Sequence, residues 1–261
     1  DQKTTFNFKA QAGISERMQG NYEDLSAREW KELKYEGLVN SGESPSAAYS
    51  TINQYGNKTY DWVDAAFKRG QSQQYKLSAQ GGDEKTRFFI SGGMNSQEGV
   101  VLGSAMDKYT GRINVEHDAT EKLTIGARIL GAYSDHSRRP GDGGAFMDPI
   151  TGSYFNRPVN PIYLEDGSYN HDIPVLGGNN FVENNELGIF EAETERLLAN
   201  GDLTYDILEG LTFKTKGGID LSEIKETEFW HPQMSDAQDV NGVGQEYDSR
   251  RYSWIITNTL N

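Results

Sequence analysis

Apolar and polar positions alternate at period two along most of this chain, the pattern of strands that are wet on one side only. Tyr75, Leu77 and Ala79 share one face while Lys76, Ser78 and Gln80 share the other. Phe88, Ile90 and Met94 alternate less cleanly with Arg87, Phe89 and Ser91. Tyr109, Gly111, Ile113 and Val115 oppose Thr110, Arg112, Asn114 and Glu116. That run covers about ten residues, roughly what a tilted strand needs to cross a bilayer. Phe6 to Ile14 forms an earlier run, and Leu123 to Ser134, Leu197 to Ile207, Leu211 to Leu221 and Tyr252 to Ile256 form later ones. The pattern therefore predicts an all-β fold of about eight strands.

Between the first two strands the period changes. Ser26-Ala27-Arg28-Glu29 has the form of a capping box, with the Ser hydroxyl taking an amide three residues on and the Glu reaching back. Trp30, Leu33 and Gly37 then share a helical face, ending near Asn40-Ser41-Gly42, and Asp61 to Phe67 suits a second short helical turn. Elsewhere the connections alternate in length. Gly82 to Lys85, Ala119 to Lys122 and Glu209-Gly210 are tight turns; Ser96 to Lys108 and Glu223 to Arg250 are longer; Asp135 to about Glu195 is very long. An outer-membrane barrel keeps that order, because periplasmic turns are short and extracellular loops long, whereas a sandwich has no reason to. The tight turns are thus expected in the periplasm.

Composition narrows the reading. With 25 Lys and Arg against 39 Asp and Glu the net charge is −14, which argues against nucleic acid as a partner. The mean hydropathy of −0.72 and the absence of any apolar run near 18 residues exclude transmembrane helices but not a transmembrane barrel. No cysteine is present, so there is neither a disulfide framework nor a thiolate metal site. Alternation continues through Tyr252 to Asn261, and an open set of strands would leave unpaired edges in lipid. Residues 1–261 are therefore expected to be part of a larger barrel.

Several spaced blocks also resemble a known family. Gly81-Gly82-Asp83-Glu84-Lys85-Thr86-Arg87-Phe88-Phe89-Ile90-Ser91-Gly92-Gly93, then Asn95-Ser96-Gln97-Glu98-Gly99-Val100-Val101, then Tyr109-Thr110-Gly111-Arg112-Ile113-Asn114 are similar to the early barrel of the SusC/RagA family of TonB-linked outer-membrane transporters. Asp61-Trp62, Phe67 and Lys122-Leu123-Thr124-Ile125-Gly126 fit the same pattern. Pro161 to Tyr169 is similar to a loop element of the family. The resemblance implies a barrel of about twenty-two strands, preceded by a plug domain through which a TonB complex acts. It further implies a SusD-like surface lipoprotein that delivers an oligosaccharide or peptide, and import without covalent chemistry.

Candidate residues follow from both lines. Arg112, Asn114, Glu116, Arg128, Lys214, Lys216 and Asp220 fall on the polar side of their strands and should face a barrel interior. The long loop holds His136, Arg138, Arg139, Asp142, Phe146 and His171, together with the aromatics Tyr154, Phe155, Tyr163 and Tyr169. Those four rings, with Trp230, are the candidate substrate contacts, since rings stack on sugar faces and apolar side chains. Asp166-Gly167 reads more simply as a hairpin turn. Asp135, Asp142, Asp148, Asp166 and Asp172 are hard donors that could hold calcium, although their spacing is not that of an EF-hand, and no other cofactor is indicated. Gly-x-Ser-x-Gly is absent, and Gly141-Asp142-Gly143-Gly144 lacks the Lys and helix of a phosphate loop, so the chain reads as a non-enzyme. A secreted all-β glycan-binding module is the alternative reading.

Overall fold

The computed structural model describes residues 2–18, 20, 23–138 and 146–261. Eight strands, β1 (Gln2–Ser15), β2 (Gly70–Gly82), β3 (Thr86–Glu98), β4 (Ala105–Thr120), β5 (Leu123–Ser137), β6 (Ile189–Leu208), β7 (Leu211–Trp230) and β8 (Val243–Leu260), form one antiparallel sheet in sequence order. The sheet is not closed: β1 is bonded on one side only, and so is β8.

Register makes the alternation a property of the whole sheet. Phe6, Ala79, Ile90, Ile113, Ile129, Ala199, Ile219 and Trp254 stand directly opposite one another, one per strand, in an unbroken apolar row. One residue along, Asn7, Ser78, Ser91, Arg112, Leu130, Leu198, Asp220 and Ser253 form a mainly polar row on the other face. Ile90, Ile113 and Ile129 are each exposed by more than 40%, so no second layer covers the apolar face. A water-soluble sandwich would bury that face; a membrane barrel turns it to lipid.

Short turns gather at one end of the strands. Asp83 Oδ1 accepts from the amides of Lys85 (2.9 Å) and Thr86 (2.7 Å), an Asx arrangement that closes the β2–β3 turn. Gly210, at φ +80°, supplies the left-handed residue that the two-residue β6–β7 turn requires. At the other end the loops are shorter than their composition suggests. β5 and β6 stay paired up to Ser137 and Glu191, so the expected 135–195 connection is really 138–188. β7 and β8 likewise pair from Trp230 and Val243, reducing the 223–250 loop to 231–242. Glu191, Glu193 and Glu195 share the face of Leu197, so these strand ends run past the apolar row without an apolar signature to reveal them, held by ladder hydrogen bonds.

The connections fold into a cap. α1 (Ala27–Asn40) and α2 (Pro45–Ile52) form a helical hairpin, followed by α3 (Trp62–Ala66); the β5–β6 connection contributes α4 (Pro149–Phe155) and α5 (Phe181–Leu187). Trp62, Ala66, Ile173, Leu176, Phe181 and Val182 make its dry core, which joins the β1–β2 connection to the β5–β6 connection. A second cluster of Met147, Phe190, Met234 and Ala237 packs against Trp230 and Val243. Phe190, Trp230 and Val243 lie on the polar side of the sheet, so the cap is anchored to the polar face of the long strands.

Candidate functional site

The cap contains an open cleft of about 450 Å³ between the start of α1, the segment before α3 and the end of α4. The sequence builds its walls locally. Ser26 Oγ accepts from the Glu29 amide (3.3 Å) while Glu29 Oε2 accepts from the Ser26 amide (2.9 Å), completing the expected capping box. The Ala27 amide donates to Thr59 Oγ1 (3.0 Å), which ties the helix start to the segment before α3. Tyr60 then donates its amide to the Pro158 carbonyl (2.9 Å), and Trp62 Nε1 to the Asn160 carbonyl (2.9 Å). The two long connections are thus stitched together along one line of hydrogen bonds. Asp148 caps α4 through the Ile150 and Thr151 amides, and Pro149 occupies its first turn.

Trp30 lines the cleft, its ring edge-on to Tyr55 at 5.1 Å and covered by the Arg157 guanidinium at 5.6 Å. Tyr154 and Phe155 project from the opposite lip with 62% and 58% of their surface exposed. Asp61, also on the wall, is engaged by the Asp64 amide at the start of α3 (2.7 Å). Open ring faces beside carboxylates and an arginine can stack on an apolar or sugar surface and bond its polar groups.

The five aromatic candidates are not brought together. Tyr154 and Phe155 line the cleft. Tyr163 and Tyr169 pair with each other, ring centroids 5.2 Å apart, across the hairpin that Gly167 turns at φ +87°. The Tyr169 hydroxyl donates to Glu186, and burial pushes its pKa up. Asp166 holds that hairpin through the Ser168 hydroxyl and amide, which keep its carboxyl below the usual range. Trp230 sits in the second apolar cluster, away from the cleft. His171 contacts the buried Glu183 of α5. Trp30, Tyr60 and Arg157 are the cleft residues that sequence reasoning missed. The Ser44-Pro45, Asp148-Pro149 and Asn180 helix starts were the signals available for the unexpected helices α2, α4 and α5.

Of the aspartates considered for calcium, Asp142 lies outside the described residues, as do Arg139 and the glycines from Gly141 to Gly144. Asp135 belongs to β5, Asp148 to the α4 cap and Asp166 to the hairpin, and the described residues contain no grouping of three or more His, Asp or Glu fit to hold a metal.

All seven polar strand residues, Arg112, Asn114, Glu116, Arg128, Lys214, Lys216 and Asp220, share the face opposite Ile113. Toward the short turns that face carries a charge ladder across four strands. Arg87 bonds Glu116 (2.9 Å) and Asp118 (3.1 Å), and Arg128 reaches both Glu116 (3.6 Å) and Asp202. Farther up, Arg196 donates to Asp220 from Nη2 (2.8 Å) and Nε (3.2 Å).

Comparison with known proteins agrees with this architecture. The chain is 30% identical over 181 residues to TonB-dependent receptor P3 of Formosa agariphila, covering 66% of this chain and 18% of that protein. It is 26% identical over 246 residues to TonB-dependent receptor P39 of the same organism, covering 89% of this chain and 22% of that one. The chain therefore spans about a fifth of the length of the curated relatives it matches. In fold it matches the solved RagAB peptide transporter, with a TM-score of 0.72 at 21% identity over 99% of this chain and 32% of that one. The RagAB peptide importer in its open-open state gives 0.67 at 19% identity, over 100% and 32%. No family model matches the chain. The resemblance to TonB-linked receptors holds in sequence, and the fold is that of a segment of a transporter barrel.

Proposed function

We propose that this chain, a relative of the TonB-dependent receptors, forms part of the wall and the extracellular cap of an outer-membrane importer of the SusC/RagA type. The observation that carries the reading is the unbroken apolar row from Phe6 to Trp254, backed one residue along by a mainly polar row. Only a sheet with lipid on one side and a watery interior on the other stabilises both rows without a second layer. Its open edges require further strands, and residues 1–261 then act as a partial barrel domain, the plug and remaining strands lying elsewhere in the protein. In this reading the polar residues Arg112, Asn114, Glu116, Arg128, Lys214, Lys216 and Asp220 face the lumen.

The cargo is an oligosaccharide or a peptide delivered by a SusD-like surface lipoprotein, and the work comes from a TonB complex pulling on the plug. The cleft beside Trp30, Tyr154 and Phe155 opens on the cap and is the first site such a cargo meets. Nothing in this path calls for catalysis. The test is uptake of labelled oligosaccharides and peptides by cells carrying the intact protein, with and without a functional TonB complex. Import that persists without TonB, or an intact protein that stays monodisperse in water without detergent, refutes the reading. The second outcome would favour a secreted glycan-binding module.

A further inference from the structure

On the polar face the charges fall into two tiers with opposite character. The lower tier, toward the short turns, neutralises itself: Arg87 and Arg128 alternate with Glu116, Asp118 and Asp202, and Lys216 stands opposite Asp202. The upper tier does not. Lys9, Lys76, Gly93, Thr110, Ala132, Arg196, Ser222 and Arg251 form one cross-strand row, with Lys108 and Arg112 two residues to either side of Thr110. Among the described residues six cations share this zone with a single carboxylate, Asp220, which Arg196 holds through Nε and Nη2.

Lys9 and Lys76 are directly opposite each other on β1 and β2. Their Cα atoms are therefore on the order of 5 Å apart, and like charges so placed destabilise a sheet unless an anion lies between them. Among the described residues neither lysine has an ion-pair partner, and neither do Lys108 and Arg112. Between the lysine pair and Lys108 and Arg112 the wall carries Gly93 and Thr110, flanked by Ser91 and Asn95, so the floor is of small and uncharged polar residues with cations around it. In a chain of net charge −14, such a concentration of unpaired cations on one surface is opposite in sign to the whole.

We propose that this tier is a binding track for an anionic group on the cargo, a carboxylate, sulfate or phosphate, with Lys9 and Lys76 gripping it from one side and Lys108 and Arg112 from the other. The inference rests on the importer reading, which makes this face the lumen. Glu23 and Asp24 beside the cap cleft disfavour polyanions, so the cargo carries isolated anionic groups rather than a dense row of them.

The test uses the full-length protein in outer-membrane preparations and two matched pairs of probes. One pair is a xylo-oligosaccharide bearing a single uronate and its methyl ester; the other is a tetrapeptide with one glutamate and its glutamine counterpart. The anionic member of at least one pair should bind tenfold or more tightly than its neutral partner at low salt, and the preference should shrink as salt is added. Lys9→Gln with Lys76→Gln should remove the preference, and Lys9→Arg with Lys76→Arg should keep it, while heat-modifiable gel mobility stays unchanged. Equal binding of charged and neutral members, failure of both anionic probes to bind, or a neutralised variant that keeps the preference would overturn the proposal. So would increased passage of large antibiotics in the neutralised variant with probe binding unaltered, which would mark these lysines as plug contacts. Loss of TonB-dependent uptake for every cargo strikes the importer reading itself, whereas normal uptake without charge preference strikes only this one.

Discussion

Ile113 on β4 and Ile129 on β5 stand directly opposite each other, while their neighbours Asn114 and Arg128 are paired in the same way on the reverse face. In the proposed barrel, one step of register thus separates hydrocarbon from water. A charge placed at Ile113 or at Ile125, which shares that face, should cost about 2–4 kcal/mol if it lies near the bilayer midplane. Asn114→Arg should be mild, since it adds a charge where water and carboxylates are at hand. The folded fraction in outer membranes, read by heat-modifiable mobility, should fall for Ile113→Arg and Ile125→Arg only. Equal tolerance on the two faces would contradict the assignment.

Much of that register was legible before any coordinates, because a half-wet strand writes its two environments into alternate letters. Ile113 and Asn114 could hardly be read otherwise. The strand ends were not legible: Glu191 and Glu195 are exposed ladder residues beyond the apolar row, and the half-buried Glu193 is engaged by the Tyr133 hydroxyl of the neighbouring strand, so no apolar burial selects these side chains. The cap was legible only where local chemistry suffices, as at Ser26 and Glu29. Trp30 and Arg157 meet through a contact between residues more than a hundred positions apart, and nothing in either neighbourhood announces it.

The cap should be separable from the barrel in stability. Phe181 is fully buried, edge-on to Trp62 at 5.3 Å, and its ring lies 2.6 Å from where a side chain on Gly152 would begin. Phe181→Ala removes the ring and should destabilise the cap by about 3–5 kcal/mol. Gly152→Ala forces the same ring to move and should loosen the cap as well, though by less. Limited proteolysis of intact cells should show both variants cleaved faster in the 146–188 segment while the barrel still assembles. A barrel that fails to assemble in both variants would show that cap and sheet fold as one unit.

Tyr154 and Phe155 offer a cleaner test of the cleft, because each is more than half exposed and its truncation removes little packing. If the proposed cargo enters through this cleft, Tyr154→Ala with Phe155→Ala should weaken its binding several-fold and leave cap proteolysis and barrel assembly as they were. Trp230→Ala should do the reverse, since that ring packs on Met147, Phe190 and Met234. Affinity measured by titration calorimetry, set beside proteolysis rates, separates the two. Cargo affinity that is unchanged in the double variant would remove the cleft from the import path.

Glu183 gives the cap a pH dependence with a definite sign. Its side chain is buried on α5 and faces His171, with His231 nearby. Burial raises its pKa above the ordinary 4.5, and the two histidines offset this only in part. The closed cap therefore holds a proton more tightly than the opened one does, so closure binds protons and is favoured by acid. This contribution is fully present below the ordinary carboxyl value and is lost as pH rises through the raised one. Hydrogen exchange of the α5 amides, corrected for intrinsic rates, should report an opening free energy that falls across that interval. Glu183→Gln keeps a hydrogen-bonding partner for His171 but cannot ionise, so its opening free energy should lose that slope and exceed the wild-type value at the alkaline end. Wild-type protection that increases with pH through the same interval, or a Gln variant with an unchanged slope, would show that a different group controls closure.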